Sequence, residues 1–533
     1  MRASRCAEHS TAHFLIHPIF YSANWRIFVF WRTAMADHFL HGIELVEIED
    51  GGRTVRTVKS SVIGLVGTAP QASAPRTATL TLGQGEASLT FTAKAPGALG
   101  NTLRVQIRAA TQPEEPLAVA LDTRSPGTTL IDVTLATDLD GARISTAAEV
   151  AQALMAESTI AERISVTVGG EDGSGVVSPT LGSRGLDGGM DEPYPFNVPV
   201  LVNNRRLAAH LGDAGTLPQA IRAIQDQASP FVYVVRVPEG ETLDETMNAV
   251  IGGLDPATGQ LAGIAALQET RSEMKSRILI APGFSQHKAV ADALIAVAQK
   301  TRAIAVIDGP NTNDEAAIDY RAQFGSDRAY IVDPWLVVRA RDGSEIVEPP
   351  SARVAGLIAQ SDAERGFWFS PSNQVVTGVL RTARPVSWAI NDPNTQANYL
   401  NEFSVATFVS HDGIRLWGNR TCATDSRWAF LSVRRTADMI NESLVKAHLW
   451  AVDRNITRTY VEEVTEMVNA YLRQLKAQAA ILGGRCWADP ELNTAQAIAD
   501  GRVYFDFDFT APYPAEHIVF RSHLVGDYLE EIL

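Results

Sequence analysis

The stretch that decides the fold runs from His411 to Trp450 and reads HDGIRLWGNRTCATDSRWAFLSVRRTADMINESLVKAHLW. It opens with short extended segments that turn at Asp412-Gly413 and Gly418-Asn419. A helix follows, because apolar residues recur at steps of four and three, the period of a helix packed on one side. These apolar residues are Val433, Ala437, Ile440, Leu444, Ala447 and Ala451. Glu442 and Lys446 would form an i,i+4 ion pair on the other face. Nothing in this stretch has the form of an active site.

Length and composition indicate a large soluble globular protein that is not built to bind nucleic acid. With 533 residues, 45% hydrophobic and 20% charged, the chain can form two or more domains, each with a full core. The net charge of −15 opposes the phosphates of a nucleic acid and favours solubility at high concentration. The cysteines Cys6, Cys422 and Cys486 have neither a disulfide framework nor a metal-ligand spacing, which favours a reducing cytoplasm.

Residues 1–34 differ in composition from everything that follows them. Aromatic residues crowd this segment without a regular period. Arg2 and Arg5 before an apolar stretch would suit a signal peptide, but two histidines and Pro18 interrupt the apolar run. No run is long enough to span a bilayer, so we expect no membrane insertion. We interpret 1–34 as a non-native upstream extension and expect the protein to start at Met35 or Ala36.

After residue 34 the sequence predicts α/β and α+β structure in several domains. The first segment, 35–62, is strand-like but carries too little apolar surface to fold alone. The alternative interpretation of Gly42–Gly67 is an edge hairpin of the first domain. An inserted, mostly β domain follows at 78–191, where short alternating strands are broken by Gly, Pro and Asp. We predict strands at Ala78–Leu82, Ala87–Ala93, Leu103–Ala109, Leu117–Asp122, Thr128–Leu135 and Ile164–Val168, and one helix at Thr146–Ala156.

Strands and helices alternate from 192 to 385, which predicts a doubly wound α/β middle domain. Continuous apolar runs such as ILIAP, which starts at Ile278, indicate a parallel sheet buried on both faces. The predicted strands are Asn197–Val202, Phe231–Val237, Arg277–Ala281, Ala303–Ile307 and Ala329–Val332. The predicted helices are Leu217–Gln227, Gln286–Lys300, Asp314–Phe324 and Ser351–Asp362.

An α+β C-terminal domain is predicted at 386–515. Besides the helix in the opening stretch, it contains a second helix at Tyr460–Leu482. This helix would begin at a capping box of Thr459 with Glu462 and end at Gly483-Gly484.

The last segment, 516–533, is predicted to be an extended arm. It follows two prolines, which cannot continue a central strand and therefore mark where the chain leaves its own domain. Ile518, Phe520 and Leu524 then offer apolar side chains to the sheet of a neighbouring subunit. An edge strand folded back on the same subunit is the alternative.

The middle domain also admits an enzyme hypothesis, an α/β hydrolase or a nucleotide-binding enzyme. Ligands of α/β proteins bind beyond the carboxyl ends of the parallel strands, and Asp308 directly follows a buried strand. However, the Walker pattern, the GxGxxG motif and the GxSxG elbow are all missing. Asp after a strand also serves as a plain turn residue. We therefore expect no catalytic residue, no cofactor and no metal site.

Four separated blocks resemble the contractile phage tail sheath protein family. The central blocks are GIRLWGNRTC, Gly413–Cys422, and RRTADMI, Arg434–Ile440. The block VSWAINDPNTQANYLNE, Val386–Glu402, is similar to the entry of the family's C-terminal domain, and VYFDFDFTAPYPAEHIVFRSHL, Val503–Leu524, to its exit. The resemblance extends more loosely over Met35–Leu533.

This resemblance implies a structural protein rather than an enzyme. Its subunits would form stacked hexameric rings around a tail tube protein, between a baseplate and a tail terminator. Contraction of this helical assembly would drive the tube through a bacterial envelope. The particle would be a virion assembled in the host bacterial cytoplasm, and the sequence leaves open a phage, a tailocin or another injection apparatus.

The resemblance also implies which residues contact other subunits. The segment 35–62 would be an N-terminal arm that reaches a neighbour through Ile43, Leu45, Val55 and Val58. The C-terminal domain would lie innermost, against the tube. A local excess of basic residues there suggests the candidate tube-facing residues Arg427, Arg434, Arg435 and Lys446. The alternative is a solvated surface with local ion pairs.

Overall fold

The computed structural model describes residues 54–123, 127–525 and 528. The predictions for 1–34, Ile43 and Leu45 lie outside these residues. The strands are β1 (Ile63–Thr68), β2 (Thr79–Leu82), β3 (Leu89–Ala93), β4 (Leu103–Arg108), β5 (Ala118–Asp122), β6 (Thr129–Thr134), β7 (Ile164–Val168), β8 (Arg184–Gly185), β9 (Val200–Val202), β10 (Val232–Val237), β11 (Gly253–Leu254), β12 (Leu261–Ala262), β13 (Ile278–Ile280), β14 (Ile304–Asp308), β15 (Ala329–Val332), β16 (Leu336–Arg339), β17 (Glu345–Glu348), β18 (Val379–Thr382), β19 (Thr407–Ser410), β20 (Ile414–Trp417), β21 (Gly483–Ala488) and β22 (Phe505–Thr510). The helices are α1 (Ala147–Ala156), α2 (Ser158–Ala161), α3 (Arg205–Ala209), α4 (Thr216–Gln225), α5 (Leu243–Ile251), α6 (Lys288–Thr301), α7 (Asp314–Ala322), α8 (Ser351–Glu364), α9 (Gln396–Glu402), α10 (Leu431–Ala447), α11 (Arg458–Ala477) and α12 (Ala495–Ala499).

A six-stranded sheet organises the protein, with the order β15-β14-β13-β1-β10-β9. Its strands are parallel except β9, which is antiparallel to β10. Separate apolar clusters cover its two faces, one containing helices α4 and α8 and the other α6 and α7. Burial on both faces explains why the strands are continuous apolar runs. The prediction of a mixed α/β protein with several domains is confirmed.

Strand β1 lies at the centre of the sheet, a position that was not predicted from the sequence. All six of its residues are buried, and Leu65 pairs with Val234 of β10 on one side and Ile280 of β13 on the other. The interpretation of Gly42–Gly67 as a thin edge hairpin is therefore wrong for its last residues. The reason is that both partners of β1 come much later in the chain, so no local pattern distinguishes an edge from a centre.

The insert domain, 78–191, follows β1 and so interrupts the α/β sheet after its first strand. It contains two sheets, ordered β2-β3-β7 and β5-β6-β4-β8, together with α1 and α2. Thr146 and Glu149 form a reciprocal capping box at the start of α1. The buried residues of its apolar cluster all lie between Ala78 and Leu186, so the insert has a core of its own.

The chain beyond residue 385 continues to build the α/β body, which is the described part of the chain outside the insert domain and the C-terminal arm. Ala406 pairs in parallel with Val332 of the edge strand β15, which extends the sheet beyond its sixth strand. Leu400 lies in one of the body's two apolar clusters, and Phe408 and Leu416 lie in the other. The packing therefore does not divide at the predicted boundary between 385 and 386.

The two long C-terminal helices are present, but with different surroundings and bounds from those predicted. Helix α10 is buried continuously from Leu431 to Ile440, whereas its periodicity predicted one buried face. Helix α11 is capped by Thr457, whose side chain accepts the backbone N–H of Tyr460, so the predicted Thr459 cap is wrong. It ends at Ala477, and the predicted stop at Gly483-Gly484 is the start of β21.

Candidate functional site

The C-terminal arm leaves the body as an exposed segment. Ala511 is buried, whereas every residue from 517 to 525 is exposed and lies outside any helix or strand. Phe520 is 93% exposed, and Ile518 and Leu524 are exposed as well. The three predicted arm residues therefore lie together on a segment that does not fold back on its own sheet. Their contact with another subunit stays a prediction.

The described part of the N-terminal segment packs instead on the chain's own body. Val55 is 3% exposed in a cluster that also contains Met439 of α10 and Tyr471 of α11. The backbone N–H of Val58 donates to Ser443 Oγ at 3.0 Å. We name residues 54–62 the entry strap. The assignment of Val55 and Val58 to an inter-subunit arm is corrected, because their side chains and backbone already have partners within this chain.

The four candidate tube-facing residues separate into two exposed and two buried side chains. Arg427 is exposed, with Asp425 accepting its hydrogen bonds, and Lys446 is exposed near the end of α10. Arg434 is only 8% exposed and Arg435 only 3%. The prediction of a tube-facing role is therefore wrong for Arg434 and Arg435. A count of charges along the sequence does not reveal which ones a helix turns inward.

The buried arginines bind carboxylates within the chain. Arg435 donates to both oxygens of Asp362, at 2.7 and 2.5 Å. Arg434 donates to Asp438 at 2.9 Å and to Asp327 at 3.1 Å. Such pairing is what allows a guanidinium group to be buried.

An ionic cluster joins α10 to the amino-terminal edge of the parallel sheet. Asp438 and Glu442 lie one turn apart, and each accepts from arginines that lead into parallel strands. Arg328, before β15, binds Asp438 through two hydrogen bonds of 2.6 and 2.8 Å. Arg277, before β13, and Arg302, before β14, bind Glu442 at 3.2 and 2.9 Å. The helix is thereby fixed across three neighbouring strands.

Neighbouring positive charges keep the Glu442 carboxylate of this cluster ionised. Burial by itself would raise the pKa of Glu442, but Arg277, Lys275 and Arg302 outweigh burial and hold the pKa at about 2. Lys275 Nζ lies 3.0 Å from the same carboxylate. Glu442 is therefore bound to the sheet edge, whereas the sequence predicted an ion pair with Lys446.

This ionic cluster was not predicted from the sequence, although a signal for it exists there. The chain reads SRILI into β13, TRAIAV into β14 and DRAYIV into β15, so an arginine lies one or two residues before each of these strands. Because parallel strands start at the same edge, three such arginines must lie side by side. An acidic i,i+4 pair on a nearby helix is the partner that this row requires.

Asp308, the residue of the enzyme hypothesis, joins parts of the fold. It is fully buried at the end of β14 and accepts hydrogen bonds from Ser285 Oγ at 2.7 Å and from Ser351 Oγ at 2.9 Å. The backbone N–H of Ser351 also donates to it at 2.8 Å, so Asp308 satisfies the start of α8. Burial raises the pKa of Asp308 to about 6, against the opposing effect of these serines. The contacts give the carboxyl group a structural role.

The start of α4 is capped in a similar way. Thr68, at the end of β1, and Thr216, at the start of α4, exchange hydrogen bonds between hydroxyl and backbone N–H of 3.1 and 3.3 Å. In doubly wound proteins, a helix N-terminus at this end of the sheet binds phosphate groups. Here a threonine of the chain occupies that position.

Neither a metal cluster nor a membrane-spanning helix lies in the described ranges 54–123, 127–525 and 528. No group of three or more His, Cys, Asp or Glu side chains there could hold a metal ion. Among the helices of the same ranges, none combines the length and apolar character that crossing a membrane requires.

Sequence comparisons identify two family domains in the chain. Residues 255–422 match the phage tail sheath protein central domain, and residues 423–524 match the phage tail sheath C-terminal domain. A prophage major tail sheath protein of Pseudomonas aeruginosa is 43% identical over 341 residues, which cover 63% of this chain and 88% of that protein. The tail sheath protein of Burkholderia phage BcepMu is 31% identical over 512 residues, 93% of this chain and 98% of that protein.

A further relative and a solved structure agree with these matches. The tail sheath protein of Escherichia phage P2 is 35% identical over 357 residues, 64% of this chain and 89% of that protein. The helical sheath of the anti-feeding prophage in its contracted state has a similar fold, with a TM-score of 0.50 at 20% identity. That similarity covers 62% of this chain and 88% of the other. The chain belongs to the phage tail sheath protein family, a family of structural proteins rather than enzymes.

Proposed function

We propose that the protein is the subunit of a contractile tail sheath. Copies polymerise helically around a tail tube, as stacked hexameric rings between a baseplate and a tail terminator, and contract to drive the tube through a bacterial envelope. The particle is a virion or a phage-derived tailocin, and it assembles in the host bacterial cytoplasm. Family membership supports the sheath role. The observation that supports polymerisation is the C-terminal arm, which exposes apolar side chains over 517–525 without a partner in its own described fold.

The arm is suited to adding a strand to the sheet of a second copy. Ile518 and Phe520 lie two residues apart and would face the same side of an added strand. Each backbone hydrogen bond of such a strand contributes on the order of 1 kcal/mol, so one arm is a modest link. Many arms in one polymer strengthen each other through effective concentration. Strand addition also suits a rearranging assembly, since the backbone bonds persist while the linker bends.

The acceptor for this arm is the two-stranded ribbon of β21 and β22. Within the described residues these strands pair only with each other. The outer edge of β21 is occupied at Cys486, whose backbone N–H and C=O both bind the side chain of Asn469 at 2.8 and 3.0 Å. The edge of β22 is therefore the one that receives the arm. A third strand would stabilise a ribbon that is marginal with two.

The body between the arms acts as a rigid block. The ionic cluster fixes α10 to three strands of the sheet, and the entry strap packs on α10 and α11. A block of this kind can move relative to its neighbours while its own packing is kept. The energy of contraction is then stored in contacts between subunits, and no nucleotide is needed. The Asp308 region, which would serve the competing enzyme function, instead caps α8.

Two surfaces complete the proposal. Arg427 and Lys446 remain the candidate tube-facing residues, since both are exposed on the C-terminal part. Exposed basic side chains in a protein of net charge −15 would align the subunit on an acidic tube by electrostatic complementarity. The N-terminal segment before the strap, with Ile43 and Leu45, is the second arm and reaches another neighbour.

Truncation tests the polymerisation that the arm provides. A chain ending at Ala515 should fold with the melting temperature of the full chain but remain monomeric, because the described residues that it lacks, 516–525 and 528, are all exposed. Electron microscopy and analytical ultracentrifugation would measure this. The double variant Ile518→Asp with Phe520→Asp should also abolish tubes. Its matched control, His517→Asp with Arg521→Asp, should retain them. Normal tubes from the truncated chain would contradict the proposal.

A further inference from the structure

Two side-chain contacts hold the root of the C-terminal arm on the body. The ring of Tyr513 meets the ring of Phe430 edge-on, with centroids 5.9 Å apart. Three residues later, the carboxylate of Glu516 accepts hydrogen bonds from Arg420, with Nε donating at 2.9 and 3.1 Å and Nη2 at 2.5 Å. The guanidinium group of Arg420 also lies 4.9 Å from the Phe430 ring. We name these four residues the arm clasp.

The body half of the clasp is itself firmly placed. Arg420 and Phe430 face each other across an antiparallel bridge, flanked by a hydrogen bond from Leu431 N–H to Asn419 O of 2.9 Å. Leu431 is the fully buried first residue of α10. The arm root is thus connected to the helix that the ionic cluster fixes to the sheet.

The clasp is the last fixed point before the free arm. Glu516 is the residue before the stretch 517–525, in which every residue is exposed. Ala511 is the last buried residue among those described, so without the clasp the free segment would begin at Pro512, five residues earlier. A longer free segment lowers the effective concentration of its tip at a fixed acceptor, and an unfixed root also loses its direction.

We propose that Arg420 and Glu516 are positioning residues that set the direction in which the arm leaves its subunit towards the neighbour's sheet. This inference rests on the proposed function of the arm. The bidentate geometry suits the role, because a guanidinium group that binds both carboxylate oxygens fixes orientation as well as distance. The Tyr513–Phe430 contact is a second attachment point three residues earlier, and two points restrict the direction of the segment more than one.

Single and paired substitutions in the full chain test this inference. Arg420→Ala and Glu516→Ala should each raise the critical concentration for tube formation on the order of threefold or more, with an unchanged melting temperature. The charge-exchanged double variant Arg420→Glu with Glu516→Arg should return it to within about twofold of the native value. Arg420→Lys should recover only part, since lysine cannot bind in the bidentate manner. Sedimentation of tubes over a protein dilution series gives these values.

The outcomes distinguish the clasp from the arm itself. If the chain ending at Ala515 fails to polymerise while both alanine variants polymerise as the native protein does, the clasp inference alone is wrong. A charge-exchanged variant no better than the single ones would also overturn it. If the truncated chain polymerises normally, the arm function fails, and the clasp with it. Should Arg420→Ala lower the melting temperature, Glu516→Ala and Tyr513→Ala test the same positioning from the arm side.

Discussion

The insert domain and helix α10 are both attached to the same parallel sheet, but by opposite means. The insert encloses its own apolar core, and its two ends meet in a stem where Arg76 and Met190 exchange backbone hydrogen bonds of 2.9 and 3.0 Å. Helix α10 has its buried carboxylates bound to arginines of the sheet edge. The insert is stabilised by its own core, whereas α10 is stabilised by its contacts with the sheet.

This difference predicts how far the destabilising effect of a substitution should extend through the molecule. A substitution inside the insert should remain local, because few interactions cross the stem. A substitution in the ionic cluster should destabilise helix and sheet together, since each carboxylate removed leaves buried cations unpaired. In the proposed function, the second kind of attachment belongs to the part that moves as one block.

The largest effect is expected from Glu442→Ala. Removing this carboxylate leaves Arg277 buried without its partner, and breaking a buried ion pair in this way costs about 3–5 kcal/mol. Urea unfolding of the body should therefore shift by that amount. Lys446→Ala on the same helix is the matched control and should change the free energy of unfolding by less than about 0.5 kcal/mol, because it is exposed. Equal effects of the two substitutions would mean that the cluster does not hold the helix.

The same ion pairs predict how the free energy of unfolding depends on pH in acid. The pKa of Glu442 in the folded protein, about 2, lies below its ordinary value of 4.5. The ion pairs therefore stabilise the protein fully above about pH 4.5, and this stabilisation is lost as the pH falls towards 2. Glu442→Gln removes this titration, so its free energy of unfolding should decline less steeply than that of the native protein below pH 4.5. Parallel acid profiles would contradict the role of the charge.

An intermediate effect is expected from Asp308→Ala, which breaks an attachment made by hydrogen bonds. The substitution leaves the backbone N–H of Ser351 and two serine hydroxyls without their acceptor, which costs about 2 kcal/mol. Tubes should still form and contract, because Asp308 joins β14 to α8 and contacts no other subunit in the proposed function. Denaturation and electron microscopy of the same sample check both parts. A stable variant whose tubes no longer contract would mean that Asp308 has a functional role beyond its structural one.

Local sequence patterns predicted many elements well. Strands β7 and β15 have the predicted bounds, and α1 and α8 start within one residue of the predicted positions. These elements are short alternating or continuous apolar runs between Gly, Pro and capping residues, so their signals are complete within a few residues. The exposed Ile518, Phe520 and Leu524 of the arm also lie where the prolines indicated.

The remaining features depend on partners far away in the sequence. Whether β1 is an edge or a centre depends on β10 and β13, and the burial of Arg434 and Arg435 depends on acids elsewhere in the chain. The family resemblance implies an arm at Val55, but an apolar residue in an extended segment can pack either on its own chain or on another copy. Only the three-dimensional arrangement decides between these possibilities.

The smallest effect on the body is expected from removing the insert altogether. Deleting residues 77–189 and joining Arg76 to Met190 through an Asn-Gly turn keeps the hydrogen-bonded pair at the stem, which a two-residue turn can close. The relatives from Pseudomonas aeruginosa and phage P2 match this chain over 88% and 89% of their own length but over only 63% and 64% of its length. Sheath proteins therefore exist in which a large part of this chain has no counterpart.

The shortened chain should unfold within about 0.5 kcal/mol of the native body and form tubes of normal length. Phe91→Ala is the matched control, because it removes a fully buried ring from the insert core and costs about 3–5 kcal/mol there. In that variant an early transition of the insert should separate from an unchanged transition of the body, which calorimetry resolves. If either change lowers the transition of the body as Glu442→Ala does, the insert is not self-contained. The contrast between the two kinds of attachment would then be wrong.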